Sequence, residues 1–235
     1  MELDVQQNAA IAHDAGVDIV IASAGSGKTR TLCAKVERLI AHAGFSPRDI
    51  LLLTFSRKAA HEIRDRVASV LPQAVDIHAA TFHSYCYDFL RRSGAVPVLL
   101  EDAARESLQD ECIRKHLSAL AGLPLSTVRM LLESQERLAP ERMRVLEEIG
   151  IIRVLSQIRA DYADTKRRQG VMDYDDLITR TISALESGAA EAWRYVLVDE
   201  FQDSSADDLR LVRLLMRQSG NLFAVGDDWQ SIYAF

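Results

Sequence analysis

The pattern of apolar and polar positions divides the chain into three stretches. In the first, residues 1–95, short apolar runs alternate with segments whose apolar residues recur every three or four positions. Residues 17–21, 49–54 and 75–79 have the length and composition of strands. Residues 30–42 carry Leu32, Val36, Leu39 and Ile40 at helical spacing, and the segment after Thr54 carries Ile63, Val67 and Val70 until Leu71-Pro72 ends it. A further helix is expected after Thr81, up to Arg91-Arg92-Ser93-Gly94, and a short one over residues 3–10, with Leu3, Ala10 and Ile11 inward. In the second stretch, residues 96–171, strand patterns vanish and helices are predicted over 101–120, 126–138, 141–149 and 151–162. Breaks fall at Gly122-Leu123-Pro124, Pro140 and Gly150. In the third, residues 172–235, a helix opens at Met172-Asp173-Tyr174-Asp175-Asp176-Leu177, and strands are predicted over 195–198 and 221–225. Runs such as Ile50-Leu51-Leu52-Leu53 are apolar on both faces, as parallel strands covered by helices are. The expected fold is α/β: a parallel sheet wrapped by helices, formed by residues 1–95 and 172–235, with an all-helical insertion over 96–171. The strand over 17–21 is expected to be buried.

Composition narrows the class. With 235 residues, 48% hydrophobic and 26% charged, the chain suits one large or two small globular domains with ample core. No apolar run approaches the roughly 20 residues that span a membrane. Met1-Glu2-Leu3-Asp4 lacks the charged start and apolar run of a signal peptide. The three cysteines, Cys33, Cys86 and Cys112, have no metal-binding spacing and are odd in number, as buried thiols of a cytoplasmic protein would be. The net charge of −6 lends no support to nucleic-acid binding, although a local basic groove is compatible with it.

Chemistry concentrates where predicted strands end. Ala22-Ser23-Ala24-Gly25-Ser26-Gly27-Lys28-Thr29 lies between a strand and a helix, the context that a phosphate-binding loop requires. Gly25 and Gly27 permit backbone angles closed to other residues, so successive N–H groups can form an anion-binding concavity at the positive end of a helix. Lys28 can reach the β- and γ-phosphates, and the Thr29 hydroxyl can ligate Mg²⁺. The general pattern has glycine at position 22, where this chain has Ala22; the bland alternative is a glycine-rich helix entry. The strand over 195–198 delivers Asp199 and Glu200 at its tip. Asp199 suits Mg²⁺, held through its water shell, and Glu200 suits the base that activates water. Ahead of the loop, Gln6 or Gln7 can read adenine, because an amide offers a donor and an acceptor together.

Phe55-Ser56-Arg57-Lys58 follows the second strand, where an aromatic beside cations can stack a base and hold a phosphate. The competing reading is a core phenylalanine and a solvated helix face. His83 is either a capping residue or a functional one, Lys166-Arg167-Arg168 reads as a solvated helix end, and Asp173, Asp175 and Asp176 read as N-terminal capping. After the last strand, Gln230 could sense the γ-phosphate, and Tyr233 and Phe235 could stack bases.

Taken in order, Ala24-Gly25-Ser26-Gly27-Lys28-Thr29, Thr54-Phe55-Ser56-Arg57-Lys58-Ala59-Ala60, Thr81-Phe82-His83, Val198-Asp199-Glu200-Phe201-Gln202-Asp203 and Val225-Gly226-Asp227-Asp228-Trp229-Gln230-Ser231-Ile232-Tyr233 resemble the motifs of UvrD/Rep-type superfamily 1 DNA helicases. The resemblance runs from Leu3 to the last residue. Trp229, where many members have a third aspartate, resembles a helicase IV-like branch. The resemblance implies a RecA-like domain that binds ATP and Mg²⁺ and couples hydrolysis to movement on single-stranded DNA and at duplex junctions, as in DNA repair and replication. It implies that Gln7 reads adenine, that Arg30 lies near it, and that Ala24, Gly25, Ser26, Gly27, Lys28 and Thr29 hold the phosphates and metal. Asp199 and Glu200 take the metal and the water, and Gln230 couples the γ-phosphate to DNA movement. Phe55, Arg57, His83, Tyr233 and Phe235 line the DNA track. Motors of this type resemble two RecA-like domains with ATP between them, the second supplying arginines to the γ-phosphate. On that reading the chain is the N-terminal part of a longer protein, inactive or weakly active alone. The rival functions are a small-molecule P-loop kinase, which would not need Gly226-Asp227-Asp228-Trp229-Gln230-Ser231-Ile232-Tyr233, and a non-catalytic nucleotide-binding scaffold, which would not need Glu200.

Overall fold

The computed structural model describes residues 5–23, 25–71, 74, 76–120, 122–134, 139–189, 191 and 193–227. The chain falls into two compact units, Met1–Ala95 with Leu177–Ala234, and Val96–Asp176.

The first unit is built on strands β1 (Val17–Ile21), β2 (Ile50–Thr54), β3 (His78–Thr81), β4 (Tyr195–Val198) and β5 (Leu222–Gly226). They lie in the order β1-β5-β4-β2-β3, and every pair is parallel. α1 (Val5–Ala12) precedes the first strand; the long crossovers that parallel pairing needs begin with α2 (Lys28–Ala41), α3 (Arg57–Val70) and α4 (Phe82–Arg92). On one face, Leu32, Val36 and Leu39 of α2 and Ile63 and Val67 of α3 pack with Ile50, Leu52, Leu197 and Phe223. Each such side chain contributes about 1.5–3 kcal/mol on leaving water. Ser56 caps α3 by accepting the Ala59 N–H at 3.0 Å, and Thr81 with Ser84 forms a reciprocal capping box at the start of α4.

Two expectations are corrected. The run over 17–21 forms a strand but not a buried one: Val17, Ile19 and Ile21 are 57%, 53% and 64% exposed. β1 is one of the two edge strands and pairs with β5 alone, and the residues alternating onto one of its faces are left uncovered. The third strand begins at His78, and Val75 lies outside the described residues.

The second unit contains α5 (Asp102–Lys115), α6 (Leu125–Ser134), α7 (Pro140–Glu148) and α8 (Ile151–Gln169), with a short 3₁₀ turn at Leu117–Ala119. Its core gathers Cys112, Ile113, Leu120, Val128, Leu155 and Ile158. Pro140, read as a break, begins α7, where the missing N–H costs nothing. α8 runs on past residue 162 until Gly170, with φ 68°, ends it. One parallel bridge, Leu99 with Met172, joins the two ends of this unit, a pairing that the sequence pattern did not suggest.

Lys166 is a further correction. It is buried rather than solvated, with Nζ 2.6 Å from both Asp173 Oδ2 and Asp176 Oδ2. Arg167 and Arg168 do face solvent. Asp173 also accepts the Asp176 N–H at 3.0 Å while Asp176 accepts that of Asp173, a reciprocal cap on α9 (Tyr174–Glu186). Burial raises the Asp173 carboxyl, but Lys166, with the Asp176 N–H and the Tyr162 hydroxyl, outweighs it and holds the group below its usual value. Back in the first unit, α10 (Ala206–Leu215) starts from a Ser205–Asp208 capping box and lies between β4 and β5 in sequence.

Candidate functional site

Three adjacent strands, β1, β5 and β4, end along one rim of the sheet. Each delivers part of a single site. β1 leads into the glycine-rich loop, anchored where the Ala22 N–H donates to the Gly226 carbonyl at 2.9 Å. Gly25 (φ 78°) and Gly27 (φ 92°) occupy the left-handed region, which a side chain would strain. No side chain caps α2, which begins at Lys28, so its first amides are left for an anion.

β4 delivers the carboxylates. Glu200 takes φ 50° and ψ 46°, the one positive φ among the described residues other than glycine. That turn brings Glu200 Oε2 within 2.8 Å of Lys28 Nζ, which also lies 3.9 Å from Asp227 Oδ2 at the end of β5. Strain of this kind, of order 1–3 kcal/mol, persists where the surroundings over-determine it. Burial raises the Glu200 carboxyl, but the bonds from Lys28 and Gln202 outweigh it and hold the group below its usual range. Asp199 behaves in the opposite way. It is 3% exposed, and burial, followed by the Glu200 charge, pushes its carboxyl up to about 6. Asp199 Oδ1 has no hydrogen-bond partner.

A buried carboxylate oxygen without a donor is what a bound cation would satisfy. No cluster of three or more metal-binding side chains exists among the described residues. Asp199, next in sequence to the cleft-lining Glu200, and the cleft-lining Thr29 could hold Mg²⁺, which keeps several waters and takes few protein ligands beside phosphate oxygens.

Gly25, Gly27, Lys28, Thr29, Arg30, Arg66, Glu200, Gln202 and Asp203 line a cleft of about 470 Å³. The structure thus gathers most of the nucleotide-site residues expected from sequence. Gln7, not Gln6, reaches the loop, donating from Nε2 to the Ser26 carbonyl at 3.1 Å. Ala24, Gln230, Tyr233 and Phe235 lie outside the described residues. Three lining residues, Arg66, Gln202 and Asp203, had been given no role. Gln202 donates to Glu200 Oε2 at 2.8 Å and accepts the Asp227 N–H at 2.8 Å, so it ties the tips of β4 and β5 together. Its position two residues after Glu200 was the available signal. Arg66, paired with Glu62 at 2.6 Å, sits on α3 and carried no local signal.

The remaining two strands, β2 and β3, end farther along the rim and carry the other candidates. Phe55 is 39% exposed and lies against the buried Phe82 ring at 5.1 Å between centroids, so it is not a core residue. Arg57 is exposed in the first turn of α3, and His83 is half-buried in the first turn of α4. These three belong to a different part of the rim from the cleft.

The family model for the UvrD/REP helicase N-terminal domain matches residues 3–235. The chain is 33% identical to the ATP-dependent DNA helicase PcrA of Bacillus subtilis, over 97% of the chain and 33% of that protein. It is 32% identical to DNA helicase IV of Escherichia coli, over 92% of the chain and 38% of that protein. It is 31% identical to a probable DNA helicase of Mycoplasma pneumoniae, over 99% of the chain and 48% of that protein. The chain therefore spans between a third and half of the length of these relatives. No helix among the described residues is long and apolar enough to cross a membrane. A parallel α/β sheet with a glycine-rich loop at one edge, matched over nearly all its length, makes the chain a member of the UvrD/REP helicase N-terminal domain family.

Proposed function

We propose that the chain is the ATP-binding motor part of a cytoplasmic, ATP-dependent DNA helicase or translocase that uses ATP hydrolysis to move on single-stranded DNA and open duplex junctions. The observation that carries this reading is the ion pair of Lys28 with Glu200, beside an unpartnered buried Asp199 oxygen, at the mouth of a cleft lined by the glycine-rich loop. In this reading Lys28 exchanges Glu200 for the β- and γ-phosphate oxygens. Glu200 is then released to take a proton from the attacking water. Asp199 and Thr29 would hold Mg²⁺, which would supply positive charge against the phosphates. Gln202 keeps Glu200 aimed, and Gln7 and Arg30 meet the adenine. Gln230 links the γ-phosphate to DNA movement, and a second RecA-like domain completes the cleft with arginine.

Phe55, Arg57 and His83, with Tyr233 and Phe235, are assigned to single-stranded DNA, and residues 96–171 to an accessory module. The sheet order supports this division for the described residues, since nucleotide groups sit at the ends of β1, β5 and β4 while Phe55 and Arg57 follow β2 and His83 follows β3. Membership of this family and the DNA helicase names of the relatives support DNA as the substrate. The test is thermodynamic linkage: single-stranded oligonucleotide should raise the affinity for Mg²⁺–ATP severalfold, and Phe55→Ala should remove that increase. Unchanged nucleotide affinity at saturating oligonucleotide would contradict the proposal.

A further inference from the structure

Lys35 has no part in the site described above, yet it is fully buried. It lies on α2 seven residues after Lys28, two helical turns along nearly the same face. Its ammonium donates to the Ile11 carbonyl at 3.2 Å and to the His13 carbonyl. These carbonyls sit at the C-terminal end of α1, where helix oxygens lack internal partners and the dipole is negative. The Tyr195 and Phe223 rings lie 5.4 and 5.2 Å from Nζ. Burial lowers the Lys35 pKa, and Asp18 and Asp14 oppose that shift.

A second tie holds the same loop: Arg38, also on α2, donates to Asp14 Oδ1 at 2.8 Å and to Oδ2 at 2.9 Å. A third lies between the His13 ring and Asp18, at 3.0 Å. α1 has eight residues, of which only Ile11 is buried. A helix that short is not stable by itself, so its position depends on these ties. Gln7, which bonds the phosphate loop at Ser26, rides on it.

We propose that Lys35 is a positioning residue for base recognition: by clamping the C-terminal carbonyls of α1 to the phosphate-loop helix, it fixes Gln7 at the adenine position, so the site selects adenine nucleotides over other triphosphates. This rests on the reading of Gln7 as the adenine-reading residue. The clamp spares the phosphate contacts, which belong to the loop and to Lys28. Loss of the clamp therefore separates base selectivity from triphosphate affinity. A merely structural lysine would not do so.

The experiment measures binding of ATP, GTP and inorganic tripolyphosphate, each with Mg²⁺, to the full chain and its variants. Lys35→Met keeps the buried stem and removes the donor. It is expected to lower ATP affinity about tenfold, bring the ATP-to-GTP ratio towards one, and leave tripolyphosphate binding within about twofold. Lys35→Arg should restore much of the ratio. Gln7→Ala should collapse the ratio in the parent and add little in Lys35→Met. An unchanged ratio in Lys35→Met, or an equal loss for ATP and tripolyphosphate, overturns the clamp while Gln7→Ala still reports base reading. An unchanged ratio in Gln7→Ala overturns the base-reading role and the clamp with it. If Lys35→Met does not fold, Arg38→Met cuts the half-exposed tie alone. A reduced ratio with intact tripolyphosphate binding then supports the clamp, and an unchanged ratio overturns it.

Discussion

Replacing Asp199 with asparagine is expected to stabilise the folded chain at neutral pH while weakening its response to Mg²⁺ and ATP. Asp199 is 3% exposed, and its carboxyl is pushed by burial and then by Glu200 from 3.8 to about 6. That rise corresponds to about 3 kcal/mol opposing folding once the group is ionised. Because the folded pKa is the higher one, the penalty is absent below the unfolded value, grows between it and about 6, and is complete above. Asparagine removes the charge and can still accept from the Glu200 backbone. It also places an NH₂ where Oδ1 has no partner, at a cost of about 1 kcal/mol. The net gain of about 2 kcal/mol at about pH 7.5 is worth about 4–8 °C in Tm for a chain of this size. By about pH 4.5 the remaining penalty, about 1 kcal/mol, balances the unpaired amide and the two proteins should melt together. Thermal unfolding followed by circular dichroism in EDTA measures both. Added Mg²⁺–ATP should then raise the parent's Tm more than the variant's. A variant that melts lower at about pH 7.5, or a difference that does not change with pH, would refute the reasoning that the orphaned carboxylate is kept at the expense of stability.

Other perturbations test separate links. Gly226→Ala would place a Cβ 3.0 Å from Gln202 Oε1 and 3.4 Å from its backbone nitrogen. The displaced Gln202 should lower hydrolysis by the assembled motor more than ATP binding, which turnover and equilibrium binding measured together will report. Lys166→Met leaves the buried Asp173 unpaired and should cost about 3–5 kcal/mol in urea unfolding of the Val96–Asp176 unit, with most of the loss recovered in Lys166→Met/Asp173→Asn. Ser205→Ala removes the hydroxyl that caps α10 by accepting the Asp208 N–H at 3.1 Å, and should cost about 1 kcal/mol in urea unfolding of the unit that holds the sheet. Glu200→Gln should keep ATP binding while abolishing hydrolysis by the assembled motor, measured by phosphate release with single-stranded DNA present.

The features legible in the sequence are those set by local chemistry. β2 and β4 declared themselves as apolar runs, Gly25 and Gly27 as backbone positions needing positive φ, and Asp199-Glu200 as carboxylates at a strand tip. What stayed hidden depends on which segments become neighbours. The exposure of β1 follows from its place at the edge of the sheet order, which no local pattern encodes. Gln202 gained its bridging role because β4 and β5 are adjacent although 24 positions separate Val198 from Leu222. Lys166 read as a solvated cation because lysine usually is, and Lys35 carried no signal of its own; both are buried against oxygen atoms supplied by other segments of the chain.

The central claim is that the cleft beside Lys28 binds ATP through its phosphates with Mg²⁺. Equilibrium binding of a fluorescent ATP analogue to the chain and to Lys28→Ala, with and without Mg²⁺, tests it most directly. The account predicts saturable, Mg²⁺-dependent binding that weakens about ten- to a hundredfold in the variant, as loss of a charged hydrogen-bonding partner requires. Binding that is equal in the two proteins, or indifferent to Mg²⁺, would contradict it.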